Sequence, residues 1–309
     1  LTISASGNTK EKIMEKVGFI GVGIMGGAIA TRMLQNGVPV LAYDSNPKAL
    51  AKFRGLGGEI ASSVRDVVDQ TEIVFACLPT ADICRHVALG PDGAAGGKRV
   101  KIYIETSTLG GAVALEFAAA LEKFGIAYLD SPVVGGAVAA EAGTLGVLTA
   151  GPRAAFERAE FALAAFAGRL FFLGETAGMG QTGKVVNNAV GYAAFMATCE
   201  AVAVGMKAGL DMETAIAIIN QGSGANFFSQ RVFPNYILQG KFDGTGAMEI
   251  GVKDVNYFLE EAKRLDVPIP MASAVSALQH RVLETGAPGR DTMTMLHYFT
   301  DLAGLPRQG

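Results

Sequence analysis

The 309-residue chain has no tryptophan, three histidines and three cysteines. Cys77, Cys84 and Cys199 form an odd set with no CxxC spacing, which suits a reducing compartment better than a disulfide-stapled secreted fold. A cytoplasmic protein is expected. His86, His280 and His297 show no HxxxH or comparable spacing, so no metal site is expected and each reads as a surface or packing residue. Charge is sparse as well: charged residues make up 18%, and 26 Lys plus Arg against 29 Asp plus Glu leave a net charge of −3. That balance holds no basic excess to neutralise a nucleic-acid backbone. Apolar runs of bilayer length are also missing. The longest candidate, Val185 to Cys199, lies between Lys184 and Glu200 and contains Asn187 and Asn188, whereas about 18 to 20 apolar residues are needed to cross. No transmembrane helix is predicted, and no membrane partner. Residues 1–16, through Thr9-Lys10-Glu11-Lys12, lack the apolar block and cleavage pattern of a signal peptide and read as a loose N-terminal extension.

What the chain does have is apolar residues, at 50%, and 40 glycines. This composition folds, and the length allows two domains of about 100 to 200 residues each. From Val17 to about Gly174, short runs rich in Val, Ile and Phe alternate with helical patterns, the signature of βαβ units. Strands are predicted at Val17–Gly21, Val38–Tyr43, Glu72–Cys77, Lys101–Glu105, Ile126–Asp130, Leu145–Ala150 and Arg169–Leu173. Several read as continuous apolar runs, as expected where helices cover both faces of a parallel sheet. Helices are predicted at Met25–Asn36 and Gly111–Phe124, each followed by a C′ glycine. After Gly178 the strand signals disappear. Helices are expected through about Ala208, from an Asp211 cap, and near Phe228–Gln239, Gly251–Leu265, Ala272–Thr285 and Thr292–Leu302. The expected fold class is α/β, a mostly parallel sheet with helices on both faces over 17–177, followed by an all-α second domain over 178–309.

The first strand runs into Gly21-Val22-Gly23-Ile24-Met25-Gly26, a GxGxxG between a strand and a helix. The first Gly permits a tight turn, the second lets backbone approach a pyrophosphate, and the third allows helix to pack on strand. The helix N-terminus then offers free N–H groups to the phosphates. Asp44 follows the second strand, 18 residues after Gly26, near the spacing at which a carboxylate meets the adenosine ribose hydroxyls. It would repel the 2′-phosphate of NADP, and no Arg follows to compensate, so NAD is favoured over NADP. The plainer alternative makes Asp44 a helix cap before Pro47, and Lys48 could still reach a phosphate. Beyond the other strand ends lie Cys77-Leu78-Pro79-Thr80, Glu105-Thr106-Ser107-Thr108 and Asp130-Ser131-Pro132-Val133-Val134-Gly135-Gly136. As bare patterns these are also ordinary loops.

Lys184 and Asn188 stand four apart, on one face of the helix that opens the second half. Glycines at 178, 180 and 183 leave its first turn uncrowded. Apolar surroundings disfavour the charged amine, which suits acid–base work near neutral pH; taken alone, a single lysine beside a domain boundary is usually a solvated charge.

Four motifs then combine: Gly18-Phe-Ile-Gly-Val-Gly-Ile-Met-Gly26; Asp130-Ser-Pro-Val-Val-Gly-Gly136 with Gly143-Thr144-Leu145; Gly180-x-x-Gly-Lys-x-x-Asn-Asn188; and Lys253-Asp254. Together they resemble the β-hydroxyacid dehydrogenases, the family of 3-hydroxyisobutyrate dehydrogenase and tartronate semialdehyde reductase, over nearly everything after Lys16. The resemblance implies a Rossmann-type domain and an all-α domain joined by a long helix, with the active site in the cleft between them. It implies reversible oxidation of a hydroxyl on the carbon β to a carboxylate, with NAD or NADP. Lys184 would be the acid–base catalyst and Asn188 its substrate-orienting neighbour. Gly135 and Gly136 would clamp the substrate carboxylate by backbone. Leu78, Pro79 and Thr108 would line the nicotinamide side, beside the Gly21, Gly23, Ile24, Met25 and Gly26 loop, and Lys253 would reach back to the cofactor.

Where the family usually has Ser-Gly-Gly, this chain has Val134-Gly135-Gly136. One hydrogen bond to a charged group, worth about 1.5–3 kcal/mol, is thereby missing, so binding is expected to rely on backbone N–H groups with Ser131 or Ser107 as candidates to assist, and either the affinity is weaker or the substrate differs. Glu105 replaces a more usual Asp, with a minor effect expected. Asn226 and Phe227 stand where the family places substrate-discriminating residues, with capping and packing as plainer readings. The expected substrate is a small hydroxyacid or semialdehyde, such as 3-hydroxyisobutyrate, glycerate with tartronate semialdehyde, threonate or serine. A homodimer or homotetramer is expected. The competing readings are an imine reductase-like enzyme, which usually lacks the lysine, 6-phosphogluconate dehydrogenase, which usually has a longer helical part, and a non-enzymatic dinucleotide-binding module.

Overall fold

The computed structural model describes residues 14–285 and 289–307. Most of the expected N-terminal extension lies outside the described residues. Its last three, Met14–Lys16, have no regular structure, and Glu15 and Lys16 form ion pairs with Arg158 and Glu59. The chain divides into two compact units. The first comprises residues up to Ser107 together with Leu115–Ala177, and the second comprises Thr108–Ala114 together with Gly178 onward.

Along the chain the order is β1 (Val17–Ile20), α1 (Ile24–Gln35), β2 (Val40–Tyr43), α2 (Pro47–Gly55), β3 (Glu59–Ile60), α3 (Val64–Gln70), β4 (Ile73–Ala76), α4 (Ala81–Leu89), β5 (Ile102–Glu105), α5 (Gly111–Glu122) and β6 (Ala127–Asp130), all in the first unit except Gly111–Ala114 of α5. Every residue of β1, β4 and β5 is buried, which is why they read as unbroken apolar runs. The six strands pair in parallel in the order β3-β2-β1-β4-β5-β6. The order reverses between β1 and β4, and ligands of such sheets collect beyond the strand ends at that reversal. Phe19 of β1 stacks on Phe75 of β4 with ring centroids 5.9 Å apart, within the core shared with α1 and α7 (Arg153–Ala164).

The two last predicted strands do not extend this sheet. β7 (Val133–Val134), β8 (Leu145–Thr149) and β9 (Ala167–Phe172) form a second sheet, β7 antiparallel to β8 and β8 parallel to β9. Gly135 (φ +127°) and Gly136 (φ +76°) reverse the chain at the start of α6 (Gly136–Ala142), so β8 returns along β7, and just past its end Ala150 meets Asp130 of β6 in one isolated antiparallel bridge.

The second unit is helical: α8 (Met179–Lys207), α9 (Met212–Gln221), α10 (Phe233–Asn235), α11 (Met248–Arg264), α12 (Pro270–Glu284) and α13 (Met295–Leu302). Asp211 caps α9, accepting the Thr214 N–H at 2.8 Å. The helix predicted over Phe228–Gln239 is instead a π-helical turn at Phe228–Val232, the three-residue α10 and a 3-10 turn at Ile237–Gln239. Pro234 has no N–H to continue an α-helix, and the turns before it widen. The membrane reading also needs correction. α8 runs 29 residues with a mean hydropathy of 1.5 over its most apolar stretch, long and apolar enough by length and composition to cross a membrane. Lys184 and Glu200 interrupt the apolar run without ending the helix. Phe195, Met196, Cys199, Val202 and Ala203 of α8 instead form the unit's core with Val255, Val282 and Phe299.

Candidate functional site

The glycine loop after β1 divides its work as the motif requires. Gly21 has φ +93°, and a Cβ there would stand 2.3 Å from the Cys77 carbonyl oxygen. At Gly26 a Cβ would meet the Gly21 carbonyl oxygen at 1.9 Å, so only glycine lets α1 approach β1 this closely. Gly23 is different: a Cβ there meets nothing within 4 Å, and it caps α1 with no side-chain hydrogen bond. The open space beside unpaired helix N–H groups is a cradle for phosphates. Ile24 is 86% exposed, an apolar side chain held at the mouth of the loop, with Met25 half-buried beside it. Asp44 follows β2 directly and accepts the Asn46 N–H at 2.7 Å; Asn46, not Asp44, caps α2 by accepting from Lys48 N. These residues fit a dinucleotide.

At the ends of β4 and β5, Leu78 N–H donates to the Ser107 hydroxyl at 2.7 Å, and Ser107 N–H donates to Glu105 Oε1 at 3.0 Å. Leu78 also packs where a Gly21 Cβ would lie, while Pro79 is exposed. Ser107 is buried with its hydroxyl engaged, and Ser131 is fully buried and donates to Thr149 Oγ1 at 3.0 Å. Ser131 therefore does not replace the missing family hydroxyl, because its own is enclosed. Val134 is half-buried and packs over Gly146, with exposed Gly135 and Gly136 following it.

Within the second unit, α8 and α11 bring four polar side chains together. Asn188 Nδ2 donates to Asp254 Oδ2 at 2.7 Å, Lys253 Nζ lies 3.4 Å from Asp254 Oδ1, and Lys253 donates to the Thr108 carbonyl at 3.1 Å. Two expected cofactor residues, Thr108 and Lys253, thus meet. Lys184, half-buried one turn before Asn188, has its pKa lowered, chiefly by desolvation and further by Lys253, against an opposing pull from Asp254. The strap Thr108–Ala114 is anchored here too: buried Gln181 accepts the Leu109 and Gly110 N–H groups at 2.9 and 3.3 Å. Asn226 accepts the Phe228 and Ser229 N–H groups and donates to Thr198, so it caps the π-helical turn, while Phe227 is exposed. Among the described residues no group of three or more His, Cys, Asp or Glu could hold a metal ion.

Two family descriptions match the chain: the NAD binding domain of 6-phosphogluconate dehydrogenase over residues 16–174, and the NAD-binding domain of NADP-dependent 3-hydroxyisobutyrate dehydrogenase over 178–299. The 2-(hydroxymethyl)glutarate dehydrogenase of Eubacterium barkeri is 30% identical, covering 95% of this chain and 98% of the relative. The chain belongs to the β-hydroxyacid dehydrogenase family. It is an NAD(P)-dependent oxidoreductase built on nicotinamide-dinucleotide-binding domains. The L-threonate dehydrogenase of Cupriavidus necator is likewise 30% identical, over 92% of this chain and 95% of the relative. In structure, a 3-hydroxyisobutyrate dehydrogenase from Salmonella typhimurium superposes with a TM-score of 0.84 at 28% identity, covering 92% of this chain and 99% of that one. Imine reductases are more distant and share the fold alone, at 19–20% identity and TM-scores near 0.63.

In the sequence Asp254 stands out only as part of the Lys253-Asp254 motif, with no task of its own. Its place beside Asn188, 66 residues away, is a tertiary contact with no sequence signal. The same holds for Gln181 and its hold on the strap.

Proposed function

We propose that this family member interconverts a small β-hydroxyacid and its semialdehyde, with NAD preferred over NADP and Lys184 as the acid–base group. The Gly21–Gly26 loop would hold the pyrophosphate, Asp44 the adenosine ribose, and Leu78, Pro79, Thr108 and Lys253 the nicotinamide end. A bound nicotinamide supplies the two-electron chemistry. In oxidation the neutral amine of Lys184 accepts the hydroxyl proton at Nζ; in reduction its ammonium returns it. Asn188, held by Asp254 through one amide hydrogen, keeps a second for orienting the substrate. The substrate carboxylate would rest on backbone at Gly135 and Gly136. With Val134 offering no hydroxyl, the substrate differs from, or binds more weakly than, those of relatives that have the serine.

The observation that carries this reading is the placement of half-buried Lys184 one helical turn from the Asn188 amide that Asp254 anchors. The test is steady-state turnover of 3-hydroxyisobutyrate, glycerate, threonate and serine with NAD and with NADP, followed by absorbance of the reduced cofactor. Turnover of at least one acid is expected, with the higher kcat/KM for NAD. A higher kcat/KM with NADP would refute the preference, and no turnover of any acid would refute this substrate class.

A further inference from the structure

We propose that Glu105 is a positioning residue that locks the loops after β4 and β5 together, its carboxyl fixing Ser107 and, through Ser107, the Leu78 backbone. The inference rests on the reading of Leu78 as part of the nicotinamide-side wall. Glu105 is completely buried at the end of β5, in register with Ala76 of β4 and Asp130 of β6. Its Oε1 accepts the Ser107 N–H, the Ser107 hydroxyl bonds the same carboxyl, and its Oε2 is buried with no hydrogen-bond partner. The Ser107 oxygen accepts the Leu78 N–H at 2.7 Å and the Cys84 thiol at 3.6 Å. The Leu78 side chain in turn fills the space beside Gly21. The chain of contacts therefore runs from the carboxyl to the glycine loop.

A buried carboxyl with one orphaned oxygen has two available states. The titratable groups around it are Cys84 from α4, Cys77 at the end of β4, Tyr103 on its own strand, and Tyr128 and Asp130 on β6; none is a cation. Burial accordingly pushes the Glu105 carboxyl up to about 7, partly offset by the bonds from Ser107 and Cys84. Ionised, it accepts a hydrogen bond from the Ser107 hydroxyl, which leaves that oxygen's lone pairs turned to Leu78. Protonated, it loses the charge-assisted bonds that hold this arrangement.

The test is equilibrium binding of NADH and NADPH, read by nicotinamide fluorescence between pH 5.5 and 8.5 as the chosen range. Wild-type affinity is expected to rise about fivefold as pH increases through 7, since charge-assisted bonds are roughly twice as strong as neutral ones. Glu105→Gln is expected to bind at the wild-type low-pH level at every pH. Ser107→Ala, which keeps the carboxyl and removes the bridge, is expected to lose the pH dependence too, and it carries the test if Glu105→Gln does not fold. A wild-type pH profile in both variants overturns the inference while leaving the function intact. Failure of the wild-type chain to bind either dinucleotide at any pH overturns both.

Discussion

At Lys184 three influences compete, and the largest decides. Desolvation and the neighbouring Lys253 favour the neutral amine, while Asp254 favours the ammonium, and the balance lowers the pKa. A base with a depressed folded pKa is neutral over a wider pH range than a solvated lysine. Oxidation, which needs the free amine, should therefore rise with pH through that lowered value, and reduction, which needs the ammonium, should fall across it. Lys184→Ala is expected to lower kcat by about a hundredfold or more, on the scale of acid–base groups, and to remove this limb of the pH–rate profile. NADH affinity is expected to stay within a small factor of wild type, because the residue acts on the substrate proton. Near-normal turnover in the variant would remove Lys184 from the mechanism.

The meeting of β1 with α1 separates two glycines that look alike in sequence. A methyl at Gly26 would lie against the Gly21 carbonyl, and no rotamer relieves a Cβ-to-backbone clash, so the helix must move off the strand. Gly26→Ala is expected to lose about 1–3 kcal/mol of stability, the usual range for overpacking, along with dinucleotide affinity. Gly23→Ala meets no atom and should lose much less stability, yet its methyl takes the space of a phosphate, so affinity falls nonetheless. Urea unfolding and NADH titration of the two variants separate the roles; equal stability losses would contradict them. The GxGxxG was legible because its spacing is local, as were Lys184 and Asn188 on one helix face. The long buried strands were legible from their composition. β3 and β7 have two residues each, too few to show a period. The second sheet depends on how Gly135 and Gly136 turn the chain, which spacing does not encode. The links from Ser107 to Leu78 and from Asn188 to Asp254 span 29 and 66 residues, and only folding brings those pairs together.

For the whole molecule, the decisive question is where α8 spends its apolar surface. By length and hydropathy it could lie in a bilayer. To do so it would have to withdraw Phe195, Met196, Cys199 and Val202 from the helical unit's core and break the Gln181 bonds to Leu109 and Gly110. It would also carry Lys184 and Glu200 into hydrocarbon, where each charge is penalised by several kcal/mol, about 2.5–3.5 for Lys at a helix centre. The net charge of −3 adds no attraction to anionic headgroups. The chain purified without detergent is therefore expected to remain in the dense aqueous fractions when vesicles of phosphatidylcholine and phosphatidylglycerol are floated through a sucrose gradient. NADH binding should be unchanged by the vesicles. Co-migration with the lipid would mean that α8 leaves its packing in the helical unit, and Lys184 and Asn188 would then no longer be held beside Asp254.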